Sequence, residues 1–191
     1  QLLRSNDLIW SRWLHDYLMG ERREAFDLMA WNADATNMPA RMHSEYLRRI
    51  FFENQLAEGS FIVDGRPVAL SDIRAPVFSV ATEQDHIAPW NSVYKFRIFA
   101  DTTLTFLLTN GGHNAGIISE PGHRNRAYRV TTSGPEDIYV DPQSWFDQTP
   151  VHEGSWWPEW VRWLKERSGD PIPPTVPDKN LPNAPGSYVF G

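Results

Sequence analysis

Two apolar runs separated by a helical pattern constrain the fold more than any other feature of this sequence. Val77–Ala81 and Leu104–Thr109 are short and rich in large apolar side chains, which is typical of strands buried on both faces of a sheet. Between them, residues 90–100 repeat apolar side chains at helical spacing after Pro89, a residue that favours the first turn of a helix. Strand, helix and strand in this order predict a right-handed crossover in a parallel sheet. The sequence therefore predicts an α/β fold.

Helical patterns dominate the part of the chain that precedes these strands. Residues 7–19 and residues 40–54 carry apolar side chains at helical spacing, and the Asn, Asp, Thr and Pro residues of 32–39 predict a loop between them. Phe61–Val68 is predicted to be a small hairpin, because Asp64-Gly65 between β-forming residues is a strong turn signal.

The segment that follows the second strand is predicted to be rich in loops. Residues 119–150 abound in Pro, Gly, Arg and Asp, although Pro142–Phe146 has the pattern of a helix start. Residues 154–168 predict a final helix, with Ser155 as its N-cap and Gly169 as its stop. The tryptophans of this helix indicate core packing, the favoured interpretation, or contact with an apolar surface.

The composition excludes several classes of function. The chain has 24 acidic and 18 basic residues and a net charge of −6, which argues against nucleic acid as a partner. No stretch approaches the roughly 20 apolar residues that span a bilayer, and the sequence shows no signal-peptide pattern, so we expect a cytoplasmic protein. The chain contains no cysteine, which excludes disulfides, Cys-ligated zinc and a thiol nucleophile within it.

No metal site is predicted from the histidines. Metal-binding histidines usually have a His, Asp or Glu partner three or four residues away, as part of a larger ligand set. Four histidines lack a convincing set of this kind: His15, His43, His123 and His152. We interpret them as structural or exposed residues.

Asp85 and His113 follow the two predicted strands, on loops at the same edge of the sheet. They are 113 − 85 = 28 residues apart, the length of one strand–helix–strand unit, so their side chains can meet. A neutral imidazole can remove a proton from a nucleophile near pH 7, and a carboxylate on its other nitrogen fixes the tautomer. Glycines on both sides of His113 permit a sharp turn. From this pattern alone, a catalytic pair and a structural ion pair are equal alternatives.

Five strings around these residues resemble those of the polyhydroxyalkanoate synthases, and they occur in the family's order. In chain order they are Trp31–Pro39, Asp85–Trp90, Gly111–Ile117, Gly154–Trp160 and Ala184–Val189. The similarity is greatest to the class of synthase that prefers short-chain hydroxyacyl units.

The resemblance implies the C-terminal part of an α/β-hydrolase fold, with parallel strands and crossover helices, preceded by a helical cap. Residues 1–60 would be the cap or lid, a candidate contact for a homodimer. Residues 61–168 would be the C-terminal part of the core, and the Pro-rich residues 169–191 a tail over the surface.

The family's chemistry assigns roles to the candidate residues. In these synthases a cysteine in a Gly-x-Cys-x-Gly turn, activated by histidine, carries the growing polyester as a thioester while 3-hydroxyacyl-CoA supplies the next unit. By motif, Asp85 would be the acid of the triad and His113 its general base. Asp85 is also a candidate for deprotonating the incoming hydroxyl, and His86 is a candidate substrate-binding residue.

The resemblance also implies the protein's partners and location. No cofactor is implied, because coenzyme A is part of the substrate. The partners would be 3-hydroxyacyl-CoA, the growing polyester and the surface of polyester granules in the cytoplasm.

The chain departs from the family at the nucleophile. It contains no cysteine and no Gly-x-Ser-x-Gly, so we expect it to be part of a longer protein, with the nucleophile before Gln1, and to be inactive alone. Two alternatives use the same residues. One is a serine-type α/β-hydrolase such as a depolymerase or esterase, and the other is a non-catalytic, granule-associated module.

Overall fold

The computed structural model of the chain describes residues 10, 13–20, 37–176 and 180. The chain divides into two compact units, Gln1–Glu53 and Asn54–Gly191. Residues 31–36 and the string Ala184–Val189 lie outside the described residues. The predicted boundaries between cap, core and tail stay predictions.

Most of the described residues of the first unit are helical. Trp13–Leu18 is a π-helix, and its wide hydrogen-bond pattern continues to Met19, whose N–H donates to Leu14 O at 3.0 Å. Helix α1 (Ala40–Glu45) runs on into a second π-helical segment, Tyr46–Phe52, and neither contains a buried side chain. The predicted helix over 40–54 is confirmed for 40–52, and the one over 7–19 is confirmed for 13–18.

The second unit begins with the predicted hairpin. Strands β1 (Phe61–Val63) and β2 (Arg66–Val68) pair antiparallel, with Val63 opposite Arg66. Asp64 and Gly65 both have positive φ, 48° and 76°, as a two-residue hairpin loop that follows the twist of its strands requires.

A mixed sheet of four strands forms the centre of this unit, in the order β3-β4-β5-β6. The first two strands are parallel and the other pairings are antiparallel. The strands are β3 (Val77–Gln84), β4 (Leu104–Gly112), β5 (Ala127–Ser133) and β6 (His152–Glu153). The chain crosses from β3 to β4 through two short helices, α2 (Trp90–Tyr94) and α3 (Phe96–Phe99). The predicted parallel pair and its helical crossover are confirmed, within a sheet of mixed direction.

The prediction of a loop-rich segment over 119–150 is wrong for β5. The apolar pattern of β5 is interrupted by a charged residue, Arg129, whose side chain packs against Phe146. Its guanidinium lies 4.2 Å from the centre of the Phe146 ring and donates to Thr149 O at 2.6 Å. The expected helix in this segment is confirmed as α4 (Pro142–Gln148), whose first turn is capped by the Asp141 side chain.

The final helix, α5 (Trp157–Lys165), confirms the prediction, and it ends four residues before Gly169. Trp156 rather than Ser155 occupies the N-cap position. Ser155 still accepts a hydrogen bond from Trp157 N at 3.1 Å, while its hydroxyl donates to Ser119 O. No helix in the described part of the chain is long and apolar enough to cross a membrane.

Two aromatic-rich clusters cover the opposite faces of the sheet. Successive side chains of a strand alternate between faces, so Phe106 and Leu108 of β4 join one cluster while Leu107 joins the other. The first cluster includes Tyr94 and Trp145 from the helices α2 and α4; the second includes Trp156 at the start of α5. The sheet is therefore enclosed between helices, which is the layering expected of an α/β unit.

We expect Leu107→Ala to lower the free energy of unfolding by about 2–5 kcal/mol, because the side chain is 0% exposed and its removal leaves a cavity. Urea denaturation followed by circular dichroism measures this. Ile138→Ala is the control, since that side chain is 91% exposed and its loss should change the free energy by no more than about 0.5 kcal/mol. Similar losses in both variants would contradict the assignment of the core.

Candidate active site

The register between β3 and β4 brings Asp85 and His113 together. Paired residues differ by 27 in number from Val77 opposite Leu104 to Thr82 opposite Thr109, and by 28 where Gln84 lies opposite Gly112. This irregularity between Thr82 and Gln84 shifts the register by one residue. Asp85 and His113 are the next residues on each chain, so the shift aligns them.

The two side chains form a hydrogen bond. His113 Nδ1 lies 2.8 Å from Asp85 Oδ2. The other carboxylate oxygen, Asp85 Oδ1, accepts hydrogen bonds from the backbone N–H groups of Ile87 at 2.8 Å and Ala88 at 2.9 Å. The Asp85 side chain is 9% exposed and that of His113 is 43% exposed. The carboxylate is thus held at both oxygens beside an accessible imidazole.

These hydrogen bonds keep the carboxylate ionised. The backbone N–H of Ala88 contributes most and the bond to His113 next, and together they lower the pKa of Asp85 from 3.8 to about 2. An ionised carboxylate can accept but cannot donate, so Nδ1 of a neutral His113 ring carries the proton. The unprotonated nitrogen is then Nε2, which has no hydrogen bond to any described residue. This arrangement can accept a proton from a group placed at Nε2.

Two glycines shape the loop that carries His113. Gly111 has a φ of 105°, in the region that favours glycine. Gly116 is buried, and a Cβ there would lie 2.6 Å from Thr82 Cγ2 and 2.9 Å from Asn110 O. The N–H of Gly116 donates to Gly112 O at 2.9 Å and closes the turn around His113. The loop therefore needs glycine at 116 for close packing on the end of β3.

The sequence predicted neither backbone donor to Asp85. A signal was present, since an aspartate that starts a turn commonly accepts hydrogen bonds from backbone N–H groups two or three residues later. His86 lies in this turn and is exposed, with no hydrogen bond to the described residues. Its predicted role in substrate binding stays a prediction.

Two further histidines of the second unit, His123 and His152, have other partners. His123 Nδ1 lies 2.9 Å from Glu120 Oε1, and the His152 ring stacks on Tyr128 with centroids 5.2 Å apart. His15 and His43 belong to the first unit. Within the described residues, no three His, Asp or Glu side chains are grouped so that they could hold a metal ion.

No protein-family model matches the chain, but it is similar to several curated poly(3-hydroxyalkanoate) polymerases and polymerase subunits. It is 39% identical to the poly(3-hydroxyalkanoate) polymerase of Methylorubrum extorquens, over 98% of this chain and 31% of the relative. The polymerase subunit PhaC of Rhizobium etli is 36% identical over 99% of this chain and 30% of its own length. For PhaC of Cupriavidus necator the identity is 38%, over 87% of this chain and 28% of the relative. The chain thus spans about a third of the length of these relatives.

We expect Gly116→Ala to destabilise the second unit by about 1–3 kcal/mol, because its Cβ would overlap the Thr82 side chain and the Asn110 carbonyl. Gly112→Ala is the matched control, since a Cβ at Gly112 meets nothing within 4 Å. Chemical denaturation of both variants measures the difference. A Gly112→Ala protein as unstable as Gly116→Ala would refute the packing argument.

We expect the Asp85 carboxyl to titrate near pH 2, a pKa well below its ordinary 3.8. Because the folded-state pKa is depressed, the carboxylate's contribution to stability is complete above about pH 4 and is lost as the pH falls through 2. The carbon-13 signal of the Asp85 carboxyl group measures the titration. His113→Gln should move its midpoint upward, but not fully, since the N–H groups of Ile87 and Ala88 remain. A midpoint near 3.8 in the unmodified chain would contradict the hydrogen-bond geometry.

Proposed function

Because the chain belongs, over nearly its whole length, to the poly(3-hydroxyalkanoate) polymerase family, we propose that it is part of an acyltransferase that makes polyester from 3-hydroxyacyl-CoA. The observation that carries the proposal is the contact of His113 with Asp85 at the carboxyl ends of two parallel strands. An Asp followed by a His in this order is found in the second half of an α/β-hydrolase triad. We therefore assign this part of the chain to the C-terminal part of such a core.

In the proposed reaction, His113 is the general base and Asp85 holds its ring. Nε2 takes the proton from a cysteine thiol, and the thiolate attacks the thioester carbonyl of the acyl-CoA. Coenzyme A leaves as its thiolate, which takes up the proton, and the acyl group stays on the cysteine. The chain contains no cysteine, so we place the nucleophile in the part of the polymerase that this chain does not span. The chain by itself is then inactive.

Exposed apolar side chains on both loops support an acyl substrate. Ile87 follows Asp85 closely, and Ile117 and Ile118 belong to the loop of His113; all three are exposed. Apolar contacts of this kind favour a hydrocarbon chain over a small polar substrate. In the complete protein we propose 3-hydroxyacyl-CoA and the growing polyester as partners, at the surface of polyester granules in the cytoplasm.

A serine hydrolase would use the same pair, since an imidazole held by a carboxylate activates a hydroxyl as it does a thiol. The names of the relatives favour the polymerase. The identity of the nucleophile in the complete protein decides between them.

In the complete polymerase, we expect His113→Ala to lower the rate of coenzyme A release from 3-hydroxybutyryl-CoA by roughly 10³-fold or more, because the thiol loses its base. Asp85→Asn should also reduce the rate, since the ring then lacks an ionised partner. His123→Ala is the control, because His123 has its own carboxylate partner, Glu120, at 2.9 Å.

Coenzyme A release is followed with a thiol reagent, and circular dichroism verifies that each variant is folded. Unchanged release in the His113→Ala protein would remove the general base from the proposal. Release of free hydroxy acid from polyester through a serine nucleophile would instead identify a hydrolase. A complete protein that has neither activity but binds polyester granules would identify a non-catalytic granule module.

A further inference from the structure

Side chains that lie outside the loop of His113 donate hydrogen bonds to the backbone of this loop. The backbone carbonyls of five consecutive residues accept hydrogen bonds from only four side chains of the described chain. Arg126 Nη2 donates to Ala115 O and Ile118 O, Trp156 Nε1 to Gly116 O, Trp157 Nε1 to Ile117 O, and Ser155 Oγ to Ser119 O. We call these four side chains the loop clamp.

The tryptophans of the clamp are anchored on the sheet. Trp156 is 5% exposed and stacks on Phe78 of β3, with ring centroids 6.5 Å apart and an interplanar angle of 24°. Its N–H reaches Gly116 O at 3.3 Å, and that of Trp157 reaches Ile117 O at 3.0 Å. Strand β3 also leads to Asp85. Strand β3 therefore supports both the carboxylate and Trp156, one of the donors that hold the histidine loop.

Arg126 joins the same assembly from the start of β5. Its Nη1 lies 3.0 Å from the position that a Cβ on Gly111 would occupy, so the guanidinium packs closely against the loop. Its own carbonyl accepts a hydrogen bond from Gly154 N at 2.6 Å. Arg126 and the segment Gly154–Trp157 thus hold the loop as one connected unit.

We propose that Arg126, Ser155, Trp156 and Trp157 are positioning residues, which keep the His113 ring on Asp85 by fixing the carbonyls of residues 115–119. The loop is buried at Gly116 and Ser119 but exposed at His113 itself, at Asn114 and at Ala115, so burial alone does not hold the part that carries the ring. Directional hydrogen bonds from a rigid element restrict such a loop more than apolar contact does. The position of the ring requires this restriction, because a displacement of about 1 Å at a catalytic group can cost 100-fold in rate. The catalytic consequence rests on the proposed function, but the effect on the ring does not.

The alternative is that these hydrogen bonds only stabilise the fold and do not orient the His113 ring. Buried indole N–H groups generally find a hydrogen-bond partner. The two interpretations predict different effects of clamp variants on the His113 ring, which forms no hydrogen bond with any clamp side chain. The test therefore measures the ring and not stability.

Nitrogen-15 spectra of the imidazole in the complete protein report the tautomer of His113. We expect the unmodified protein to show one tautomer, with the proton on Nδ1. Trp157→Phe keeps an aromatic ring and removes the donor to Ile117 O, and we expect its Nδ1 and Nε2 shifts to move toward the average of the two tautomers. Trp160→Phe is the control on the same helix, since the Trp160 N–H has no hydrogen bond to the described residues and phenylalanine keeps an aromatic ring beside Trp156, whose centroid lies 6.1 Å away. Its spectrum should not change.

Arg126→Lys and Ser155→Ala extend the test to variants with smaller changes in volume. A lysine ammonium cannot reproduce the planar fork that reaches Ala115 O and Ile118 O together. Circular dichroism selects the variants that keep the native spectrum. A shift of the His113 signals in the folded clamp variants supports the proposal, and unchanged signals in all of them overturn it.

In the complete polymerase, we expect Trp157→Phe to lower kcat for 3-hydroxybutyryl-CoA about tenfold with little change in KM, because the ring is misplaced while substrate binding is kept. Shifted His113 signals together with full activity of His113→Ala would uphold the clamp and refute the proposed function. An inactive His113→Ala protein, together with unchanged His113 signals and unchanged kcat in Trp157→Phe, would refute the clamp and support the proposed function.

Discussion

The parallel pairing of β3 with β4 determines where the two candidate site residues, Asp85 and His113, lie. Parallel strands end at the same edge of a sheet, so the residues that follow them are neighbours whatever the length of the crossover. Here the pairing also contains a one-residue shift between Thr82 and Gln84, which sets Asp85 and not its neighbour beside His113. The buried packing of Gly116 against Thr82 then fixes the loop at this same irregularity. A change in the register of β3 with β4 would separate Asp85 from His113 and would also disrupt the packing of Gly116 on Thr82.

The helices that cover the sheet contribute in two different ways. On one face, Trp145 and Tyr94 pack on Phe106 and donate hydrogen bonds to Thr131 Oγ1 and Val140 O, which lie outside the histidine loop. On the other face, Trp156 packs on Phe78 and also donates from its indole to the histidine loop. Apolar contact holds the ring in place without fixing direction, whereas the hydrogen bond is directional. A tryptophan supplies both, which phenylalanine could not do at this position.

Sequence patterns predicted the elements that depend on neighbouring residues in the chain. They did not predict features that depend on contacts between residues distant in the sequence. Strands β3 and β4 could be predicted because their apolar runs are continuous. The hairpin could be predicted because Asp64-Gly65 is a turn signal with a steric cause. Strand β5 was missed because Arg129 is stabilised by Phe146 and Thr149, contacts that no local pattern contains. The register shift and the contacts of Arg126 are equally non-local. For the site, sequence predicted which residues meet, and the structure supplied the donors that hold them.

A short distance between a histidine and a carboxylate does not make a catalytic pair. His123 and Glu120 are 2.9 Å apart, almost the same as the 2.8 Å between His113 and Asp85. The hydrogen bond from His123 lowers the pKa of Glu120 as well. Glu120, however, is 52% exposed, whereas Asp85 is 9% exposed and bound by two backbone N–H groups. A carboxylate held by the backbone cannot follow the ring, so the ring must take the orientation that the carboxylate sets. Fixed orientation, rather than proximity, therefore distinguishes the pair at the ends of the strands.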